Sequence, residues 1–201
     1  VDNGHRGEGG APEALYLYGS LAGEGIALAP GSRLIVGEIP VYARVGGNMV
    51  LLNDLLGGAE AVAFGEGLLA RRGGAAVVAM TPSGSVLPVL DHVDLDFNMA
   101  LDPAGFTTDD VEITGPSGDI PALSVSQVDA DTWRVQFPGQ SAHGVYRIRV
   151  GPDVPDLTGL LPQMDQDGDG TAGTAADVFE GEVLVDTQGP LPLMATALNG
   201  S

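Results

Sequence analysis

The chain has no cysteine, and all eight of its basic residues are arginine, so lysine is absent as well. Without cysteine there is no disulfide framework, no thiolate metal site and no cysteine nucleophile, and the chain suits either redox compartment. Without lysine no phosphate loop of the G-x-x-x-x-G-K-[ST] kind is available, so Gly7-Glu8-Gly9-Gly10 and Gly23-Glu24-Gly25 are not phosphate cradles. Positive charge is scarce: 27 acids against 8 arginines give a formal net charge of −19. That charge argues against nucleic acid, where every phosphate contact wants a cation, and against an anionic membrane surface. No apolar run approaches the roughly 18–20 residues that span a bilayer. Aromatics are only 5% of the 201 residues.

Histidine is scarce too. His5, His92 and His143 share no metal-ligand spacing, so a zinc site is not expected. There is no G-x-S-x-G, and Gly115-Pro116-Ser117-Gly118 reads as a turn rather than a nucleophile elbow. Carboxylates are abundant, but solvated strand faces account for them better than a glycosidase pair does. The expectation is a protein without catalytic activity.

What is present is 44% apolar residues, enough for a core, and 31 glycines. The two halves differ. Residues 1–88 carry 8 acids and 5 arginines, whereas residues 89–201 carry 19 acids and 3 arginines. The break falls at Thr81-Pro82-Ser83-Gly84-Ser85 and predicts two domains. The expected organisation is an arm at 1–11, flexible or donating a strand, a glycine-rich β domain at 12–81, a β-sandwich at 86–189, and a tail or strand at 190–201. Val1–Gly10 lacks an initiator methionine and an apolar stretch, and reads as a trimmed end.

Alternation with period 2 is clear in the second half. Val93, Leu95 and Phe97 alternate with His92, Asp94, Asp96 and Asn98. Val111 and Ile113 do so with Glu112 and Thr114, Trp133, Val135 and Phe137 with Arg134 and Gln136, and Tyr146, Ile148 and Val150 with Arg147 and Arg149. One apolar and one polar face per strand is what a two-sheet sandwich needs. Trp133, the only tryptophan, stands at a core-facing position.

In the first half, short apolar runs are separated by glycines: Leu15–Tyr18, Ile26–Leu28, Arg33–Val36, Val41–Val45, Met49–Leu52, Ala61–Phe64 and Ala75–Met80. Interior glycine costs a helix about 1 kcal/mol per site, so seven short strands are expected, as a second β-sandwich or a jelly-roll-like domain. A helix over Met49–Leu56 competes, because Leu51, Leu52, Leu55 and Leu56 fit helical spacing. Tyr16, Tyr18 and Tyr42 offer rings for sugar stacking or for packing. Arg71-Arg72 reads as a solvated turn or as a contact to the acidic half of another copy.

Met164-Asp165-Gln166-Asp167-Gly168-Asp169-Gly170-Thr171 is the sharpest local signal. Aspartates at positions 1, 3 and 5 with glycine at 6 begin a calcium loop, because carboxylates on every second residue converge when glycine lets the chain bend. Thr171 falls at position 7, where a backbone carbonyl is the usual ligand. Position 12 is Ala176 instead of glutamate, and Asp177 follows it. Glu180, Glu182, Asp153 and Asp156 are alternatives. No amphipathic helix flanks the loop, so it is not an EF-hand. Asp165, Asp167, Asp169, Thr171 and Asp177 are the candidate calcium ligands, and a solvated Asp/Gly turn is the alternative.

Over about residues 86–190 the chain resembles bacterial Ig-like domains of the S-layer type. The resemblance rests on Val93–Asn98 with Leu101-Asp102-Pro103 and Phe106-Thr107, on Gly144-Val145-Tyr146-Arg147-Ile148, and on Val154-Pro155-Asp156-Leu157-Thr158-Gly159. Leu160 stands where those domains usually have Asn. The resemblance implies a non-catalytic extracellular or cell-surface module, a spacer, adhesive or assembly unit. Two function classes follow: a subunit that assembles with copies of itself, through strand exchange at its ends, and a carbohydrate-binding or adhesin module.

Overall fold

A computed structural model describes residues 14–19, 25–37, 39–86 and 89–188. The expected arm at 1–11 and the expected tail at 190–201 lie outside them. The fold is all-β and made of two β units.

The glycine-rich unit has six short strands: β1 (Leu15–Leu17), β2 (Arg33–Ile35), β3 (Val41–Val45), β4 (Asn48–Leu51), β5 (Ala61–Phe64) and β6 (Gly67–Ala70). They form two three-stranded sheets, ordered β1-β3-β4 and β2-β6-β5. Each contains one parallel pair, β1 with β3 and β2 with β6. The two sheets share one small core, through Val41 and Ala43 of β3 and Leu69 of β6. A one-turn helix, α1 (Leu52–Leu55), follows β4 directly. The competing helical reading of Met49–Leu56 is thus half right: strand to Leu51, then a turn that buries Leu52 and Leu56 one helical turn apart. These two close on Val36, Val41, Ala43 and Leu69 as a small core. Ile26–Leu28 is not a strand, and Gly67–Ala70 is one despite its leading glycine.

The second unit is a two-sheet sandwich. Its strands are β7 (Val77–Thr81), β8 (Gly84–Val86), β9 (Leu90–Phe97), β10 (Val111–Gly115), β11 (Gly118–Ile120), β12 (Ser124–Gln127), β13 (Thr132–Gln140), β14 (Gly144–Val150) and β15 (Phe179–Val185). One sheet runs β12-β13-β9-β7 and the other β11-β10-β14-β15-β8. The composition break at Thr81–Ser85 is not a break in the sheets, since β7 hydrogen-bonds antiparallel to β9 and β8 parallel to β15. The chain passes from one sheet to the other at this point.

The alternation in sequence is the alternation in burial. Val93, Leu95 and Phe97 of β9, Trp133, Val135 and Phe137 of β13, and Tyr146, Ile148 and Val150 of β14 all face one core. Burying each such side chain is worth about 1.5–3 kcal/mol. Phe106 meets Phe97 and Trp133 edge-on, at centroid distances of 5.4 and 5.6 Å, a favoured aromatic geometry. Trp133 is 2% exposed and belongs to the core, so it is no sugar platform.

The polar faces pair across strands. Arg134 of β13 makes a two-pronged bond to Asp94 of β9, at 2.7 and 2.8 Å. Arg149 of β14 bridges Glu112 of β10 and Glu180 of β15, and Arg147 pairs with Glu182. Tyr146 is buried, and its hydroxyl donates to the Ala142 carbonyl at 2.9 Å.

Candidate metal centre

The connection from β14 to β15 carries the acidic loop. Its first bend is built by Asp156, which is 2% exposed. Asp156 Oδ1 accepts the Leu161 N–H at 2.8 Å, and Oδ2 accepts the Thr158 hydroxyl at 2.6 Å and the Thr158 N–H at 3.2 Å. A short side chain reaching forward to backbone donors makes the turn.

The loop then runs beside the segment that joins the two units. Ala75 and Met164 form a parallel bridge, and the Asp165 N–H donates to the Ala75 carbonyl at 2.9 Å. Gly73 and Gly74 permit this approach: a Cβ on Gly73 would overlap the Asp165 carboxylate, and one on Gly74 the Gln163 carbonyl.

Carboxylate oxygens of Asp165, Asp167 and Asp177 lie within 4.8 Å of one another. Asp165 and Asp177 are buried and Asp167 is exposed. Asp169 is not in this group. Asp169 Oδ1 accepts the Thr171 N–H at 2.6 Å, a local turn that draws its carboxylate into the loop's own backbone. The other acids considered are engaged elsewhere. Asp153 accepts from Gln163 at 2.7 Å, Asp156 holds its turn, and Glu180 and Glu182 pair with arginines.

Asp177 is the loop's anchor. One of its oxygens accepts the Thr174 N–H and hydroxyl at 2.7 and 2.8 Å, and the other accepts the Gln166 N–H at 2.9 Å. With Thr174 it forms a capping box around the 3₁₀ turn Ala175–Asp177. Burial works to raise its pKa, but these donors, with the Asp167 N–H, outweigh it and hold the carboxyl below the ordinary range. Asp165 goes the other way. Burial raises its pKa, the Gly170 N–H partly offsets this, and the charges of Asp177, Asp167 and Asp169 add to the rise. A buried carboxyl pushed up by neighbouring like charges is a place where a cation relieves repulsion.

Gln166 was not singled out by the sequence. Its side chain sits between two aspartates in the chain, yet it accepts the Val77 N–H at 2.9 Å and donates to the Val77 carbonyl at 3.1 Å. No motif marks it. The capping box was visible as Thr174-Ala175-Ala176-Asp177, a spacing shared with Thr107–Asp110, which forms the same device. Of Arg71-Arg72, the Arg72 side chain donates to the Asn98 carbonyl, and the Arg71 backbone N–H donates to the Glu60 carbonyl.

No known family model and no curated protein matches the chain. Solved structures similar to it include surface layer protein SbsC, domains 1–6, at 16% identity and a TM-score of 0.38, covering 59% of this chain and 14% of that one. The N-terminal part of the bacterial S-layer protein SbsC is 14% identical over 56% of this chain and 24% of that one, with a TM-score of 0.40. CopC from Methylosinus trichosporium OB3b is 20% identical over 59% of this chain and 99% of that one, with a TM-score of 0.37. The chain thus spans a small fraction of the S-layer chains. Likenesses at TM-scores this low carry no inference about what the chain binds or does.

Proposed function

We propose that the chain is a non-catalytic structural module of an extracellular or cell-surface assembly, stabilised by calcium. The observation that carries this reading is the convergence of Asp165, Asp167 and Asp177 on a loop that also touches the joining segment. Asp165, Asp167 and Asp177 would hold the ion, each through a carboxylate oxygen. Calcium takes six to eight oxygens, so main chain and water would supply the remainder. The test is melting in chelator against millimolar calcium. A ligand that binds only the folded state at 100 times its Kd adds about 2.7 kcal/mol, so the melting temperature rises, and Asp165→Asn abolishes the rise. An unchanged melting temperature in the parent protein defeats the reading.

The sandwich is read as immunoglobulin-like. Its order, β7-β9-β13-β12 against β10-β14-β15, supports this as an ABED/CFG arrangement, and so does the Tyr146 hydroxyl bonded four residues upstream. The proposed partner is a second copy. β1 is an edge strand among the described residues and exposes Leu15 and Tyr16, with Tyr18 exposed just after it, whereas edges protected from pairing usually carry charge. Among the described residues β1 pairs only with β3 of its own chain, so its other edge is the one offered to a neighbour. Sedimentation of the parent and of Leu15→Lys tests this, with larger species expected only in the parent.

A second reading, a carbohydrate-binding or adhesin module, is favoured by one observation. Tyr16 and Tyr42 stack at 4.9 Å with an 8° interplanar angle, and Tyr18 stacks beside Tyr16, half exposed or more. A glycan array of the parent and Tyr16→Ala tests it.

A further inference from the structure

The segment joining the two units, 71–76, is bonded on both sides. On one side Asn98 brackets it: the Asn98 N–H donates to the Ala76 carbonyl at 2.9 Å, and its Oδ1 accepts the Ala76 N–H at 3.0 Å. On the other side lies the acidic loop, through the Ala75–Met164 bridge, the Asp165 N–H and the Gln166 side chain on Val77. Arg33 of β2 donates to the Gly73 carbonyl, so the glycine-rich unit holds the same segment. The far end of the loop reaches that unit too, since a Cβ on Gly170 would stand 3.0 Å from Ile35 Cδ1. One loop therefore touches the sandwich, the joining segment and the glycine-rich unit.

The apolar contact between the units is slight by comparison. The small core and the large core are separate clusters, and from the glycine-rich sheets only Ala61 and Ala70 belong to the large one. Units without a broad apolar interface are free to move relative to each other unless something else holds them. Here hydrogen bonds to the joining segment, from the loop, from Asn98 and from Arg33, supply a restraint.

We propose that loop 163–177 is a clasp that sets the angle between the two units, with Gln166 as its positioning residue and Gly73 as the notch that lets it seat. With the clasp seated, the joining segment behaves as one more rung between strands. With it displaced, the units hinge at 71–76. The proposal does not rest on the calcium reading, and its test is run entirely in chelator, so failure here leaves the calcium titration standing.

The absence of cysteine makes the test clean. Asp54→Cys on the glycine-rich unit and Ser126→Cys on the sandwich, both exposed positions, take one spin label each. The labelled parent is expected to give a single narrow distance. Gln166→Met, which keeps bulk and loses both Val77 bonds, is expected to broaden it or add a second maximum. The Val77 amide should then exchange about tenfold faster, the factor matching one lost hydrogen bond. Gly73→Ala, which expels the Asp165 carboxylate and leaves the loop sequence intact, should do the same. Native emission from buried Trp133 confirms that the sandwich is folded, and Gly73→Ala decides the matter if Gln166→Met loses it. A broad distribution in the parent, or a narrow one in a folded variant whose Val77 amide exchanges faster, overturns the proposal.

Discussion

Replacing Asp156 by alanine tests whether a single buried carboxylate organises the long connection to β15. The variant removes the acceptor of three hydrogen bonds. The Leu161 N–H suffers most, because Leu161 is fully buried and no water reaches it. An orphaned buried donor costs about 1–3 kcal/mol. The Thr158 hydroxyl and N–H are on an exposed residue and regain water, so their loss adds about 1 kcal/mol. The sum is about 3 kcal/mol. At roughly 2–4 °C per kcal/mol for a chain of this size, the melting temperature should fall by about 10 °C. Asp156→Asn keeps an oxygen for Leu161 but puts an amide NH2 where Oδ2 accepted the two Thr158 bonds, so only the exposed part of the loss, about 1 kcal/mol, is expected. The assay is urea unfolding followed by Trp133 fluorescence, with the alanine and asparagine variants side by side. The main-chain bonds of this region, Leu157 N–H to Ala100 O at 2.9 Å and Asp156 N–H to Leu161 O at 2.9 Å, stay available in both. Equal losses in the two variants, or less than about 1 kcal/mol in the alanine variant, would refute the reasoning, because the side-chain oxygen would then not be what holds the turn.

Tyr146→Phe removes the hydroxyl that donates to Ala142 while leaving the ring in the core, so a loss of about 1 kcal/mol is expected in the same urea assay. Stability should also fall on acidification. Asp94, lowered first by its hydrogen bonds to Arg134, and Asp177 are both below the usual value of 3.8. A depressed carboxyl contributes stability that is present above its unfolded pKa and lost as pH falls through the folded one. Asp165 has the opposite sign: its raised pKa makes its ionisation unfavourable as pH rises above 3.8. Asp165→Asn should therefore be more stable than the parent at neutral pH in chelator, a difference that vanishes in acid, as read by melting across pH 3–7.

The sandwich was legible where one face of a strand is wet. At β9, β10, β13 and β14 the apolar residues fall on every second position and are the ones buried. Nothing of the kind marks β12, whose residues are all partly or fully exposed, or β6, which is largely buried on both faces. For these a period of 2 has no reason to exist. The destination of Val77–Thr81 was hidden for a different reason. A strand's own residues state that it pairs, whereas its partner, Leu90–Phe97, is chosen by three-dimensional packing. At the acidic loop the spacing of Asp165 and Asp167 placed both beside one another, and Asp177 joined them through its capping box. Asp169 obeyed the same spacing and is not in the group, and both it and Asp167 accept a backbone N–H two residues on. Local side-chain to backbone bonds compete with convergence on a common centre, and sequence spacing does not record which wins.

The pairing of β8 with β15 has a mechanical meaning. Gly84–Val86, the strand that follows β7, and Val183–Val185, the end of β15, lie side by side in parallel. Tension between the segments before and after the sandwich pulls these strands in opposite senses along a shared axis. The load then falls on the rungs from Gly84–Val183 to Val86–Val185 together, in shear, instead of opening them one after another as a zipper. Once β7 is drawn off β9, a chain under stretch at both ends meets its resistance at β8 and β15.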